Sequence, residues 1–482
     1  MFRRGLIGYL PANIAAGVVG LLTIVVFTRL LEPAQYGAYA LAMSAMTLAH
    51  TLVFTWIEAA MARFQARSIE RGDASNHMVT IYRAWAVLAF GFPIVAAVAV
   101  WLAPLPGALK LAVGAALTTV MARSLIKLVQ ERRRADGEVV AASLLDMALT
   151  VGAFLVGVAF IALGLGAAGP FLGMTAVAVL CLAITLRREL ALMWGGRFQM
   201  DRLTEYAAYG LPVALSLILA IVISTTDRFL LAAFLDETAV GVYHAGYSLA
   251  NRTLDVMFIW LGMAGGPAMV AALERGGRPA LEASAREQSS FMVLLTLPAA
   301  VGVALVAHPL TQVMVGEGLA EGAARVTPWV AFGAFFAGVT TYYLHQAFTL
   351  GQKTRLLFVA MTIPAGLNLL LNLLLIPRFG IDGAMWATAI SYAVGAAASW
   401  ALGRQAMPLP LPIEALWKAG VACVAMALTV LAIPDLGGIL ELTLKAAAGA
   451  IVYAAVILGL DAGGLRSRGL GMVRSLRERT AE

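Results

Sequence analysis

Apolar residues run uninterrupted for roughly 20 positions at a time along the whole chain, each run long enough to cross about 30 Å of hydrocarbon. By this pattern spans fall near 8–30, 37–60, 80–103, 107–128, 140–164, 167–186, 207–232, 240–265, 289–310, 326–348, 355–377, 383–403, 413–433 and 440–460. That makes about 14 transmembrane helices. Leu, Ala, Val and Gly dominate these runs and no strand alternation is sustained, so the expected class is an all-α polytopic membrane protein and not a barrel. The first run follows Phe2-Arg3-Arg4, as a signal peptide would. It is too long for one and lacks a clear cleavage motif, so it is read as a retained helix.

Composition agrees with the pattern. Hydrophobic residues make up 61% of the 482, charged residues 13%, and the mean hydropathy is +0.86. A soluble chain carries about 25% charge. Cys181 and Cys423 both fall inside spans, so neither a disulfide framework nor a cysteine-rich metal site is expected.

The net charge of +7 gains meaning from its distribution. Basic residues cluster in alternate connections, among them Arg3 and Arg4, Arg132 to Arg134, Arg187 and Arg188, Arg275 and Arg278, and Arg474, Arg477 and Arg479. On the opposite side stand Lys110, Arg325, Arg378 and Lys445. The positive-inside rule then places both termini and the basic loops in the cytoplasm. The loops need no nucleic-acid partner; the tail after Leu460 has anionic membrane lipids in reach. Connections are short, and no phosphate-binding loop, nucleophile elbow or paired Cys/His cluster interrupts them. The expectation is therefore no enzyme and no cofactor.

Two marker pairs repeat in the same order. Gly37 and Tyr39 in RLLEPAQYGAYAL return as Gly241 and Tyr243 in DETAVGVYHAGYSL, and Gly166 and Gly169 in GLGAAG return as Gly380 and Gly383 in FGIDGA. Both offsets are roughly two hundred residues. Duplicated halves in a very apolar chain are a signature of transporters.

The same segments carry a family resemblance over nearly the whole chain. RLLEPAQYGAYAL at 29–41, DRFLL at 227–231 with GVYHA at 241–245, and NLLLNLLLIPRFGIDGAMWAT at 368–388 resemble Wzx-type polysaccharide flippases. That superfamily also holds lipid II flippases and MATE multidrug exporters. The resemblance implies two pseudo-symmetric six-helix lobes around a V-shaped cavity, with two extra C-terminal helices. On this chain those are 1–203, 204–405 and 406–460, followed by a basic cytoplasmic tail at 461–482. It further implies that an undecaprenyl-diphosphate-linked oligosaccharide, an exopolysaccharide or O-antigen repeat unit, is flipped from the inner to the outer leaflet by alternating access. Polysaccharide polymerase and export proteins are the partners such a flippase implies. The alternatives are a cation-coupled multidrug exporter of the same architecture and an envelope polymerase or ligase. The lack of a large outer loop weighs against the last.

Ionisable residues within spans cost at least about 2.5–3.5 kcal/mol each, so they should line water, a cavity or a partner. Tyr243, Tyr247, Asn251 and Asp255 step by four along one stripe, with Arg252 beside it. One reading gives Arg252 to the diphosphate and the tyrosines and Asn251 to sugars; the other lets Arg252 and Asp255 neutralise each other. Arg29 matches a cationic cavity position of the lipid II flippases by helix, or it snorkels. Asp227 and Arg228 read as a capping or interlobe pair. Glu58, Asp146 and Asp255 are the candidate sites for coupling to H⁺ or Na⁺. Glu58 shares a face with Thr51 and Thr55, or it pairs with Arg63. Tyr342, Tyr343, His345 and Gln346 form an unusually polar stretch that puts Tyr342 and His345 on a cavity wall, or packs His345 as a hydrogen-bonded core residue. Asn368 and Asn372 read as interhelical glue. Pro11, Pro212, Pro298 and Pro364 read as kinks within spans.

Overall fold

The computed structural model describes residues 2–464, 466 and 467, with side chains described from residue 11 onward. Residues 468–482 lie outside the described residues, and with them most of the expected basic tail, including Arg468, Arg474, Arg477 and Arg479. The side chains of Arg3 and Arg4 do too.

Sixteen α-helices account for the described chain, joined by a few π and 3₁₀ turns. They are α1 (Phe2–Leu30), α2 (Pro33–Val53), α3 (Thr55–Glu70), α4 (Ala74–Leu102), α5 (Gly107–Ala135), α6 (Val139–Phe160), α7 (Gly169–Leu192) and α8 (Met200–Phe234). After them come α9 (Glu237–Leu305), α10 (Ala307–Met314), α11 (Glu317–Val339), α12 (Gln346–Leu350), α13 (Thr354–Phe379), α14 (Ile381–Ala406), α15 (Ile413–Ala432) and α16 (Gly438–Gly459). Among the described residues nine helical runs are long and apolar enough to cross a membrane, or ten if the bent pair α2–α3 is one crossing. The protein is thus an all-α, multi-pass membrane protein. α11 and α14, where the pattern places spans near 326–348 and 383–403, are helical but are not among those nine.

Two of the nine runs are far longer than one crossing needs. The run Val139–Leu192 is broken by a π turn at Ile161–Leu165 and a 3₁₀ turn at Gly166–Ala168. The 69 residues of α9 would reach about 100 Å as a straight rod. Instead the chain turns at Gly277, whose φ of 63° and ψ of −156° suit a residue without Cβ. Past it the helix folds back, so that Gln288 lies where a Cβ on Gly265 would stand, 1.8 Å away.

The chain divides into two compact units, Met1–His244 and Ala245–Glu482. In the first, Ile57, Met61, Met78, Ile81, Leu128 and Tyr206 form one core where α3, α4, α5 and α8 meet. Ile126, Val129, Leu145, Val177, Cys181 and Leu182 form another among α5, α6 and α7. In the second unit α15 and α16 pack on the later part of α9 through Leu294, Ala419, Ala422 and Ile457. Large apolar side chains such as Phe90, Trp101, Leu163 and Leu431 stand exposed, as lipid-facing positions must. Both cysteines are buried and free. Pro11, Pro212, Pro298 and Pro364 all lie inside helices.

The duplicated markers share local geometry. At the start of α2, Pro33 occupies the first turn and the Glu32 N–H donates to Gln35 Oε1 at 3.3 Å. The helix then meets the start of α9 glycine to glycine. A Cβ on Gly37 would fall 1.7 Å from the Glu237 carbonyl oxygen, and one on Gly241 2.5 Å from that of Pro33. The second pair repeats a turn. Gly166 has φ 48° and ψ −136°, and Gly380 has φ 58° and ψ −131°, a region open in practice to glycine alone. Three residues on, Gly169 and Gly383 each press against the backbone of the helix that precedes the turn.

Candidate functional site

In the second unit a polar face on α9 meets a π turn. Asn251 and Asp255 are one helical turn apart, and Asn251 Nδ2 donates to Asp255 Oδ2 at 2.6 Å. Arg252 is exposed, and among the described residues no carboxylate lies within ion-pair distance of it. It is the charge that Asp255 feels most directly. One turn further, Phe258 stacks on Tyr342 with centroids 6.1 Å apart and planes within 9°. Tyr342 belongs to the π turn Thr340–Leu344, which follows α11. Such turns shift side-chain register and occur often at functional sites. Here Tyr342 lies over Gly262, where a Cβ would come 2.2 Å from its ring. Thr340 Oγ1 in the same turn is buried without a hydrogen-bond partner. The outcome is an unpaired guanidinium, a carboxamide–carboxylate pair and a half-buried tyrosine on adjoining surfaces. A guanidinium fork binds phosphate oxygens in pairs, and aromatic rings and amides suit sugar faces and hydroxyls.

The other sequence-predicted binding residues lie elsewhere. Tyr243 is fully buried in the first unit and its hydroxyl donates to Asp227 Oδ2 at 2.5 Å. Asp227 also accepts from the Arg228 N–H at 2.8 Å, while Arg228 Nε donates to His244 Nδ1 at 3.1 Å. This is a buried polar knot near the Gly37–Gly241 crossing. Tyr247 is buried. Arg29 is exposed and its Nη1 donates back to the Val25 carbonyl at 2.8 Å. His345 is half-buried, with Nε2 3.4 Å from Ser399 Oγ and its ring beside Phe348. Asn372 Nδ2 donates to Asn368 Oδ1 at 3.0 Å, and both residues are fully buried.

The carboxylates proposed from sequence for ion coupling differ in their surroundings. Asp146 accepts from Gln130 Nε2 at 2.5 Å and from Arg134 Nη2 at 2.6 Å, so both its oxygens are engaged. Asp255 has Asn251. Glu58 does not meet Arg63. Its Oε1 lies 2.8 Å from His50 Nε2, across the break between α2 and α3. Thr51 and Thr55 therefore sit on two helices at 51° to each other and not on one stripe.

Sequence reasoning missed a buried ion cluster. Arg132 looks like one of three loop arginines, yet it is 1% exposed and forms a bidentate contact with Glu189, which is 0% exposed. Tyr82 donates its hydroxyl to Glu189 at 3.1 Å, and Asp136 takes the other arm of Arg132. Gln65 adds a hydrogen bond to Asp136 at 2.9 Å. His77 Nδ1 and the Tyr206 hydroxyl, 2.5 Å apart, make a second missed pair. The spacing of Arg132 and Asp136, one turn apart at the C-terminal end of α5, was the only one-dimensional signal; Glu189 comes from α7. At the other end of the chain Lys445 binds Glu441 at 2.7 Å and Asp435 at 2.8 Å, closing the α15–α16 hairpin. Lys445 holds the Asp435 carboxyl below its ordinary range.

Comparison with known proteins gives this geometry a context. The family model described as "Polysaccharide biosynthesis protein" matches residues 26–322. Among curated proteins none matches the chain. Solved structures do. The lipid II flippase MurJ in an inward closed conformation superposes with a TM-score of 0.76 at 12% identity, covering 94% of this chain and 98% of that one. An inward-facing multidrug resistance MATE family transporter of the MOP superfamily gives 0.64 at 14% identity, covering 81% and 97%. A mutant of the Vibrio cholerae MATE transporter VcmN gives 0.58 at 16% identity, covering 84% and 96%. At such identities the likeness is one of fold.

Proposed function

Because the chain belongs to the polysaccharide biosynthesis protein family, we propose that it flips an undecaprenyl-diphosphate-linked oligosaccharide from the inner to the outer leaflet by alternating access. The observation that carries the cargo class is Arg252: an exposed, unpaired guanidinium on a helix long and apolar enough to span, beside Asn251, Asp255 and Tyr342. A charge held at that cost without a direct ion pair is retained where it meets an anion. A diphosphate supplies one, and the amide and the tyrosine give the first sugars hydrogen bonds and a face to lie on. The lipid II flippase that shares the fold moves lipid II by its name, which supports a lipid cargo here.

The finer architecture follows the same reading. The broken runs 139–192 and 237–305 each supply two crossings, and α11 and α14 cross as polar members of the bundle. This yields fourteen helices, arranged as lobes 1–203 and 204–405, a pair at 406–460 and a basic tail at 461–482. Both termini then face the cytoplasm of a bacterial inner membrane. Transport draws on H⁺ or Na⁺, with Glu58 and Asp255 better placed than the doubly engaged Asp146. Arg29 and His345 serve as peripheral contacts to the cargo, and Tyr243 and Tyr247 brace the helix that presents it.

Polysaccharide export by cells expressing the protein at native level tests the assignment. Arg252→Ala and Arg252→Lys should each lower export by about tenfold or more, the loss of about 1.4 kcal/mol of a bidentate contact. Full export by both variants would remove Arg252 from the cargo site. Efflux of organic cations in place of glycan export would favour the multidrug reading that the MATE likeness offers.

A further inference from the structure

The hairpin formed by α9 holds a side-chain amide that nothing in the fold uses. Past the turn at Gly277, Gln288 on the returning arm lays its amide against Gly265 on the outgoing one, where a Cβ would fall 1.8 Å from Nε2. Both Gln288 Nε2 and Oε1 are buried without a hydrogen-bond partner. Among the described residues it is the one carboxamide buried and open at both atoms. Asn251 is spent on Asp255, and Asn368 and Asn372 bond each other. A buried amide left open at both ends is costly, and such groups persist where something binds them.

The amide borders a cavity of about 770 Å³ between the two arms, the size of a small-molecule site. Trp260, Phe291 and Leu294 give it apolar walls, while Ser284 and Ser290 add hydroxyls. Arg286 and Glu287 also border it, both exposed and of opposite charge, so no net charge selects an ion. The chemistry asks for a neutral ligand with an apolar face and paired polar groups.

We propose that this cavity is a sugar subsite in which Gln288 reads two adjacent hydroxyls of one pyranose ring. The proposal rests on the glycan-flippase reading and extends its cargo site to a determinant of specificity. One edge of a carboxamide carries an N–H donor beside a carbonyl acceptor. Two neighbouring hydroxyls match it, one donating to Oε1 and the other accepting from Nε2. The C–H face of the same ring lies on Trp260 or Phe291, whose side chains are partly exposed. A hydrocarbon chain would satisfy neither amide atom, and a phosphate oxygen would leave Oε1 without a donor. The subsite continues the face already described. Asn251, Asp255, Phe258, Gly262 and Gly265 follow one another by four, three, four and three residues, so they share one stripe of α9. Gly265 lies about 20 Å along the helix from Arg252. With the diphosphate at Arg252, the ring at Gln288 is therefore a later sugar of the glycan and not the first.

Saturation-transfer NMR on the protein in nanodiscs, with millimolar methyl glucoside, tests the subsite alone. The 3-deoxy analogue of that glucoside has no two adjacent ring hydroxyls. Wild type should favour the glucoside over the analogue by about tenfold. Gln288→Leu should abolish the preference, and so should Gly265→Ala, whose methyl group displaces the amide. Gly266→Ala should keep it, because a Cβ there meets only the Gln346 amide at an ordinary 3.5 Å. Equal transfer to both sugars by wild type, or a preference that survives Gln288→Leu and Gly265→Ala, would overturn the proposal. The second measurement compares binding of undecaprenyl diphosphate with that of the same lipid carrying a 1→6-linked glucose tetrasaccharide. Wild type should hold the glycosylated lipid about tenfold more tightly. Gln288→Leu should lose that margin, whereas Arg252→Ala should weaken both lipids alike. A margin that Gln288→Leu keeps would also overturn the proposal. If wild type binds neither lipid, the cargo reading fails, while the NMR comparison still judges the sugar subsite.

Discussion

At Gly37 a single hydrogen atom stands where the Glu237 carbonyl leaves no room for a methyl group. Gly37→Ala therefore has to push α2 and the start of α9 apart. Overpacking of this kind costs about 1–3 kcal/mol, and a lowered melting temperature in detergent should report it. An unchanged melting temperature would mean that the crossing yields freely. A larger loss is expected at Arg132 and Glu189, whose contact is sealed from solvent. Removing one member strands the other as a buried charge, a loss of about 3–5 kcal/mol. Glu189→Ala should reduce folded yield and thermal stability far more than Arg67→Ala, which breaks an exposed pair with Glu205 and a cation–π contact with Phe64. Equal effects of the two would contradict the burial argument. These residues show where one-dimensional reading stops. The glycines were legible as repeated markers, but not that they face each other. Arg132 reads as one more charge in the basic excess expected on the cytoplasmic side, yet its partner on α7 is invisible to any local spacing. Glu58 was recognised as an unusual carboxylate, while its partner His50 was hidden by the break at Phe54.

Among elements, the turns at Gly166 and Gly380 are the clearest legacy of duplication. Each sends the chain from one helix into an antiparallel neighbour with the same backbone angles, and each is followed by a glycine pressed on the helix before. A Cβ is strained at these angles whatever space surrounds it. Gly380→Ala should destabilise the α13–α14 hairpin by about 1–3 kcal/mol, whereas Gly366→Ala, on α13 with open space around it, should be nearly neutral. Hydrogen exchange at α13 and α14 would compare the two, and equal protection in both variants would count against the turn's role. Helix existence was legible throughout because apolar runs in lipid have few alternatives to helix. The interruptions were less so. The π turn at Thr340–Leu344 lies in a stretch marked only as polar, and nothing in its composition announces the altered register that brings Tyr342 over Phe258. The bend at Phe54 contains neither Gly nor Pro, the residues by which a sequence usually signals a break.

At the scale of the molecule, membership of the family and a shared fold with a lipid II flippase and MATE transporters support the proposal that the protein moves cargo. The account distributes its work. Polar clusters such as Arg132–Glu189 and Lys445–Glu441 hold helices together, and Arg252 with its neighbours is the proposed contact for the anionic part of the cargo. Orientation and helix count were drawn from charge asymmetry and apolar length, which are properties of the whole sequence; the cargo rests on a handful of side chains. The most direct test is flipping of a fluorescent undecaprenyl-diphosphate oligosaccharide in proteoliposomes, wild type beside Arg252→Ala. The account predicts that wild type moves the lipid and that the variant, equally well reconstituted, does not. No movement of several such glycans by wild type, together with cation-driven efflux of organic cations, would contradict it.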